Sequence, residues 1–273
     1  MSRRTRTDWD AIRAVVGKDL RAVGRSRLIM IPMIAVPVLL LVILPLVLGI
    51  FARTAGSVDV HDALGQFSSH LPAALRDLPP KEALLQIVLG FLLAPLFLIV
   101  PLMVSAVLAA DAFAGEKERR TMEALLHLPI SDRDLFLAKL IGAFVPALLI
   151  SWIGFLCFAL IADVIAWPVM HRVFIPTRLW TVMIVWVAPA VALFGLGVMV
   201  RVSARARTTQ EATQLGGAVI LPLIFLALGQ ASGLLLVDIS VAITIGAVTW
   251  ALALWLVWRG ASRFTRDRLA TTV

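Results

Sequence analysis

Six stretches of this chain are apolar over the length of a bilayer crossing, and no other feature limits its fold so strongly. They are Leu28–Phe51, Ala83–Ala110, Leu140–Ile165, Leu179–Val200, Leu215–Gly233 and Ile239–Trp258. Each meets the requirement of about 20 residues for a helix that spans the hydrocarbon core. In lipid every backbone amide must be satisfied within its own segment, so the stretches read as helices. Hydrophobic residues make up 60% of the chain and charged ones 15%, well outside the usual soluble range. The expectation is an all-α polytopic membrane protein, a single transmembrane domain over residues 1–273 with six transmembrane helices. The last two stretches are nearly continuous, and a tight external hairpin before Asp238 separates them.

The net charge of +8 is distributed as a membrane orientation and not as a nucleic-acid surface. Twenty of the 25 Lys and Arg residues fall in residues 1–27, in the loop 111–139, in the loop after the fourth stretch and in the tail 259–273. Only Arg53, Arg76, Lys81, Arg172 and Arg178 fall in the other loops. Under the positive-inside rule this places both termini and the 111–139 loop in the cytoplasm. The arginine-rich start resembles a signal peptide, but its apolar run is too long, so it reads as an uncleaved first span.

Residues 8–27 carry Trp9, Ile12, Val16 and Leu20 at helical spacing, with Arg13, Lys18, Arg21 and Arg25 available to anionic head groups. This is the pattern of an amphipathic N-terminal interfacial helix. Outside, residues 52–82 form a loop with a helical period through Val60, Leu64, Phe67, Leu71, Leu75 and Leu78. His61, Asp62 and His70 match no standard metal-ligand spacing and read as ordinary loop residues. Cys157 stands alone, which leaves no disulfide framework. The spans contain Pro32, Pro37, Pro45, Pro95, Pro101, Pro146, Pro189 and Pro222, each a site of a lost backbone bond. No charge stands at the middle of a span, with Asp163, Glu211 and Asp238 at span ends. That argues against a proton relay, an ion channel or an intramembrane enzyme and suits an apolar or amphipathic cargo.

The polar exception is the run Gly115–Pro129. Glu116 precedes Arg120 by four residues, the favourable order for an ion pair. Met122, Leu125 and Leu126 share one face, and Pro129 ends the turn. A short helix with a small apolar face and a charged rim is the form of a helix that docks into a partner's groove, although spacing alone favours an ordinary cytosolic loop with solvating charges. Ser131-Asp132-Arg133-Asp134 then has the S-x-x-D pattern of a helix start.

The run from Asp111 to Ser131, with Lys139 beyond, resembles the signature of ABC-2-type transporter permeases, approximately G-E-x-E-R-x-T-x-E-x-L-L-x-x-P-x-S and then G-K. Thr209-Gln210-Glu211-Ala212-Thr213-Gln214 is similar to that family's Q-E-A-x-Q before the fifth span. Ala138 stands where the pattern has Gly, and Arg120 where it often has Gly. The resemblance implies a permease subunit in the plasma membrane of a prokaryote, with a cytoplasmic coupling helix between spans two and three. By the same resemblance Glu116, Arg119, Arg120, Thr121, Met122, Glu123, Leu125, Leu126 and Pro129 would meet an ABC-type ATPase subunit, and Gln210, Glu211 and Gln214 would line an inner gate. A second permease subunit, identical or different, would complete the assembly in the lipid. The chain has no G-x-x-x-x-G-K-[ST] run, so ATP and Mg would be held by the partner, and this chain would be neither an enzyme nor a cofactor carrier. A non-transporting membrane anchor that recruits an ATPase is the rival expectation.

Overall fold

The computed structural model describes residues 8–56, 60, 64–65, 75, 77–118, 130–206, 208–231 and 238–262. Among these residues there is no strand. The helix α1 covers Trp9–Arg25, and six helices have the length and composition to cross a membrane. They are α2, Ile29–Thr54; α3, Pro80–Gly115; α4, Asp132–Met170; α5, Arg178–Ser203; α6, Thr209–Gln230; and α7, Ile239–Ala261. A short turn, Glu116–Glu118, continues from α3.

The centre of the bundle is α3 against α5. Their most apolar windows are 72% and 61% buried, whereas those of the other four are at most 22% buried, so α2, α4, α6 and α7 surround this pair and turn apolar faces outward. Side-chain size sets how closely the two central helices approach. A methyl group at Gly195 of α5 would sit 2.6 Å from Leu102 Cδ1 and 3.0 Å from the Leu102 carbonyl oxygen of α3. Nearby, Phe97 of α3, Phe155 and Phe158 of α4 and Trp180 of α5 form an aromatic cluster. Trp180 lies 4.6 Å from Phe158, 5.3 Å from Phe155 and 5.5 Å from Phe97, ring centre to ring centre.

The prolines leave a specific mark. A proline cannot donate to the carbonyl four residues back, and its ring crowds that carbonyl. The residues four before Pro45, Pro95 and Pro189 are Leu41, Phe91 and Val185. Each falls inside a π-helical turn, at Leu39–Ile43, Gln86–Leu92 and Met183–Val187. In α5 the Ala188 N–H donates to the Met183 carbonyl five residues back. In that register Pro189 would be the next donor, to Ile184, and it has no N–H. The Trp152 indole of α4 donates to the Ile184 carbonyl instead, at 3.4 Å, and the Trp250 indole of α7 donates to that of Trp186, at 3.1 Å. Indole N–H groups from two neighbouring helices thus supply donors around the break, as lipid cannot.

The helices are longer than hydropathy alone implies. The fourth helix begins at Asp132, where Ser131 Oγ accepts the Asp134 N–H at 3.1 Å as the S-x-x-D pattern predicts. The sixth begins at Thr209 with Thr208 as its cap, six residues before the apolar run starts. At the opposite end His171, with φ of 49°, closes α4 in the left-handed conformation. There the Asp163 carboxylate accepts the N–H groups of Phe174 and Ile175 at 3.0 and 3.1 Å, and Arg172 meets Glu82 at 3.4 Å. His61, Asp62 and His70, the 232–237 connection and the tail beyond Ser262 lie outside the described residues.

Candidate functional site: a buried charge cluster at the start of the polar segment

The four charged residues that meet at one end of the bundle come from three separate parts of the sequence. The first helix presents Ile12, Val15 and Val23 as its buried side. Ile12 and Val15 pack with Ile130, Leu135 and Ala138 at the start of α4. That packing brings Lys18 and Asp19 over the junction between α3 and α4. Glu116 comes from the turn that leaves α3, and Lys139 from the second turn of α4.

Lys139 Nζ lies 2.7 Å from Glu116 Oε2, and Lys18 Nζ lies 2.8 Å from Glu116 Oε1, so one carboxylate bridges two ammonium groups. Asp19 is 3.1 Å from Lys18 and 3.9 Å from Lys139. Side chains of Lys139 and Glu116 are only 2% and 3% exposed. Two cations and two carboxylates balance, which is how charges are tolerated out of water. Lys139 also donates to the Ala112 carbonyl and sits 5.5 Å from the centre of the Phe113 ring. Ala112 belongs to the fourth π-helical turn, Asp111–Gly115, which no proline follows. A carbonyl of this widened turn is thus occupied by an ammonium from another helix.

The environment sets the protonation of the outer pair. Burial pulls the Lys18 pKa down, but the hydrogen bond and charge of Glu116, joined by Asp19, outweigh it and hold Lys18 above the ordinary lysine value. The stability this lends is present at neutral pH and is lost only as pH climbs through that raised value. Burial raises the Asp19 carboxyl; Lys139 and Lys18 oppose the shift, Glu116 adds to it, and the net direction is upward. Ionised Asp19 therefore costs the folded chain stability at neutral pH, a cost relieved as pH falls to its raised pKa.

Sequence reasoning assigned Lys18 to anionic head groups, and the structure corrects this. Its ammonium is held by Glu116, because α1 packs along α4 with Lys18 on the edge of that contact. Glu116, expected at the partner-facing surface, is buried. The other residues expected to meet a partner, Arg119, Arg120, Thr121, Met122, Glu123, Leu125, Leu126 and Pro129, lie outside the described residues. Glu118, at the threshold of that segment, accepts the Thr209 N–H at 2.9 Å. A carboxylate is favoured there, where the first N–H groups of α6 lack helical partners. Gln210, Glu211 and Gln214 sit on the exposed side of the first turns of α6, while Ala212 and Gly216 face inward.

The cluster itself was missed by sequence reasoning, although a signal existed. Lys139 is embedded in Leu135, Phe136, Leu137, Ala138, Leu140 and Ile141, and a lysine in such a frame calls for a carboxylate partner. Between α3, α5 and α6 lies a small apolar cavity of about 40 Å³, lined in part by Met103, Val107, Met199 and Gly216. The described residues contain no group of three or more His, Cys, Asp and Glu able to hold a metal.

Comparison with curated proteins gives no significant match. Comparison with protein families matches residues 13–237 to the family described as ABC-2 family transporter protein. The match extends from α1, through the buried cluster and all of α2 to α6, into the connection before α7, and on that extent the chain belongs to the ABC-2 transporter family.

Proposed function

We propose that this permease works as the membrane subunit of an ATP-driven exporter of hydrophobic or amphipathic molecules, with ATP and Mg held by a separate ABC-type ATPase subunit docked on residues 119–129. The observation that carries the reading is that the start of this segment is fastened to helices other than α3. Glu116 ties its start to α4 and α1, and Glu118 ties it to the first turn of α6. A displacement of the segment is passed to three helices at once, since packed helices transmit motion as rigid units. The outward apolar faces of α2, α4, α6 and α7 leave room for lipid and for a second permease subunit. Gln210, Glu211 and Gln214, at the entrance to α6, act as the inner gate. In this reading the Lys139 end and both termini face the cytoplasm across the plasma membrane.

Two expected results test it. Leu125→Asp places a charge in the small apolar centre of the docking face, where a few positions carry most of the binding energy. The permease remains inserted, the ATPase subunit is lost on co-purification, and cargo-stimulated hydrolysis disappears. Normal co-purification with normal stimulation would sink the coupling role. Retained recruitment without any cargo-dependent hydrolysis in the wild type would favour a membrane anchor instead. For orientation, in a Cys157→Ala background, Arg119→Cys and Arg207→Cys are shielded from impermeant thiol reagents in intact cells, and His171→Cys is labelled. Labelling of Arg119→Cys from outside overturns the orientation.

A further inference from the structure

Arg201 of α5 and Arg259 of α7 flank a single indole. Their guanidinium carbons lie 4.8 and 5.1 Å from the centre of the Trp255 ring. The sequence enforces this meeting. Trp255 and Arg259 are four residues apart and share one side of α7. Arg201 lies one turn beyond Gly197, where α5 and α7 pass so closely that a methyl group would be 2.8 Å from Leu256 Cβ. Two positive charges are thereby held within about 10 Å of each other, a repulsive arrangement in a medium less polar than water. Among the described residues neither arginine has a carboxylate partner. The indole face offsets part of this repulsion but carries no net charge.

The surroundings indicate what neutralises them. Val248, Leu252 and Trp255 are 55%, 46% and 45% exposed, and with Arg259 they form one stripe along α7 at helical spacing. An apolar stripe that ends in a tryptophan and two cations matches the profile of a phospholipid, with acyl chain below and phosphate above. Guanidinium groups bind phosphate oxygens in pairs. A choline headgroup would bring its own cation against the second arginine, whereas a headgroup with net negative charge would not.

We propose that Arg201, Trp255 and Arg259 form a binding site for the phosphate of an anionic phospholipid, whose acyl chain lies along Val248 and Leu252. The site is on the same end of the bundle as Lys139. Because the ATPase subunit plays no part in it, the test below leaves the coupling reading untouched whatever its outcome.

The purified full-length chain in detergent is offered equal amounts of phosphatidylglycerol and phosphatidylcholine with the same acyl chains, and retained lipid is counted by native mass spectrometry. The wild type retains phosphatidylglycerol preferentially, and the preference fades from low to molar salt. The pair Arg201→Gln and Arg259→Gln lowers that preference on the order of tenfold, as loss of a charge-assisted fork contact should. The charge-matched pair Arg53→Gln and Arg178→Gln, exposed at the opposite end of the bundle, leaves it in place. No preference in the wild type, a preference indifferent to salt, or loss in the Arg53/Arg178 pair in place of the Arg201/Arg259 pair would each overturn the site. The wild-type salt series decides the matter even if the α5–α7 pair folds poorly.

Discussion

Lys139→Met is expected to destabilise the folded chain by about 3–5 kcal/mol, the range for removing one partner of a buried ion pair. The methionine fills similar volume, so the loss is electrostatic. Glu116, 3% exposed, loses its buried ammonium and is left facing Lys18, whose side chain is half in solvent, and the Ala112 carbonyl loses its ammonium donor. Adding Glu116→Gln should recover a large part of the loss, because the stranded charge is then gone. The measurement is thermal unfolding of the three variants in one detergent. A single-variant cost below about 1 kcal/mol, the surface-pair range, would mean that water reaches the cluster. The same variant should weaken coupling without touching residues 119–129.

Trp180→Ala is the second large effect, about 3–5 kcal/mol for emptying a fully buried aromatic site. The indole is in contact distance of three other rings, so its removal opens a void among Phe97, Phe155 and Phe158 where α3, α4 and α5 meet. Trp180→Phe should cost far less than the alanine variant. It leaves a smaller void and also removes an Nε1–H that is buried with no hydrogen-bond partner, whose burial is itself a penalty. Unfolding midpoints of the two variants check this. Equal losses would show that the indole N–H contributes something the packing does not account for.

The sequence made the spans legible, because lipid imposes length and apolarity on each helix separately. The cap at Ser131 was readable in the same local way, from the side-chain oxygen that meets an N–H three residues on. What local reading could not reach was pairing at a distance. Lys18 and Glu116 are 98 residues apart, and nothing near Lys18 distinguishes a partner in α3 from a lipid head group. The family pattern marked Glu116 and Lys139 as a set but said nothing of their being joined. The helix start at Thr209 was obscured for a related reason. Polar first turns look like loop to a hydropathy scale, although backbone hydrogen bonds continue through them.

The π-helical turn at Asp111–Gly115 differs from the other three in having no proline to require it. A π turn accommodates one more residue than the α-helix around it, and one residue corresponds to about 100° of rotation and about 1.5 Å of rise. Glu116 and Glu118, which follow the turn, therefore point where they do because of a single surplus residue. With Lys139 on the Ala112 carbonyl, that surplus is retained. Rewound to α, the same chain would swing Glu116 about a quarter turn from Lys139 with no change in any span. Direction at this end of the molecule is thus set by how one turn is wound, independently of the length and apolarity that fix the membrane crossings.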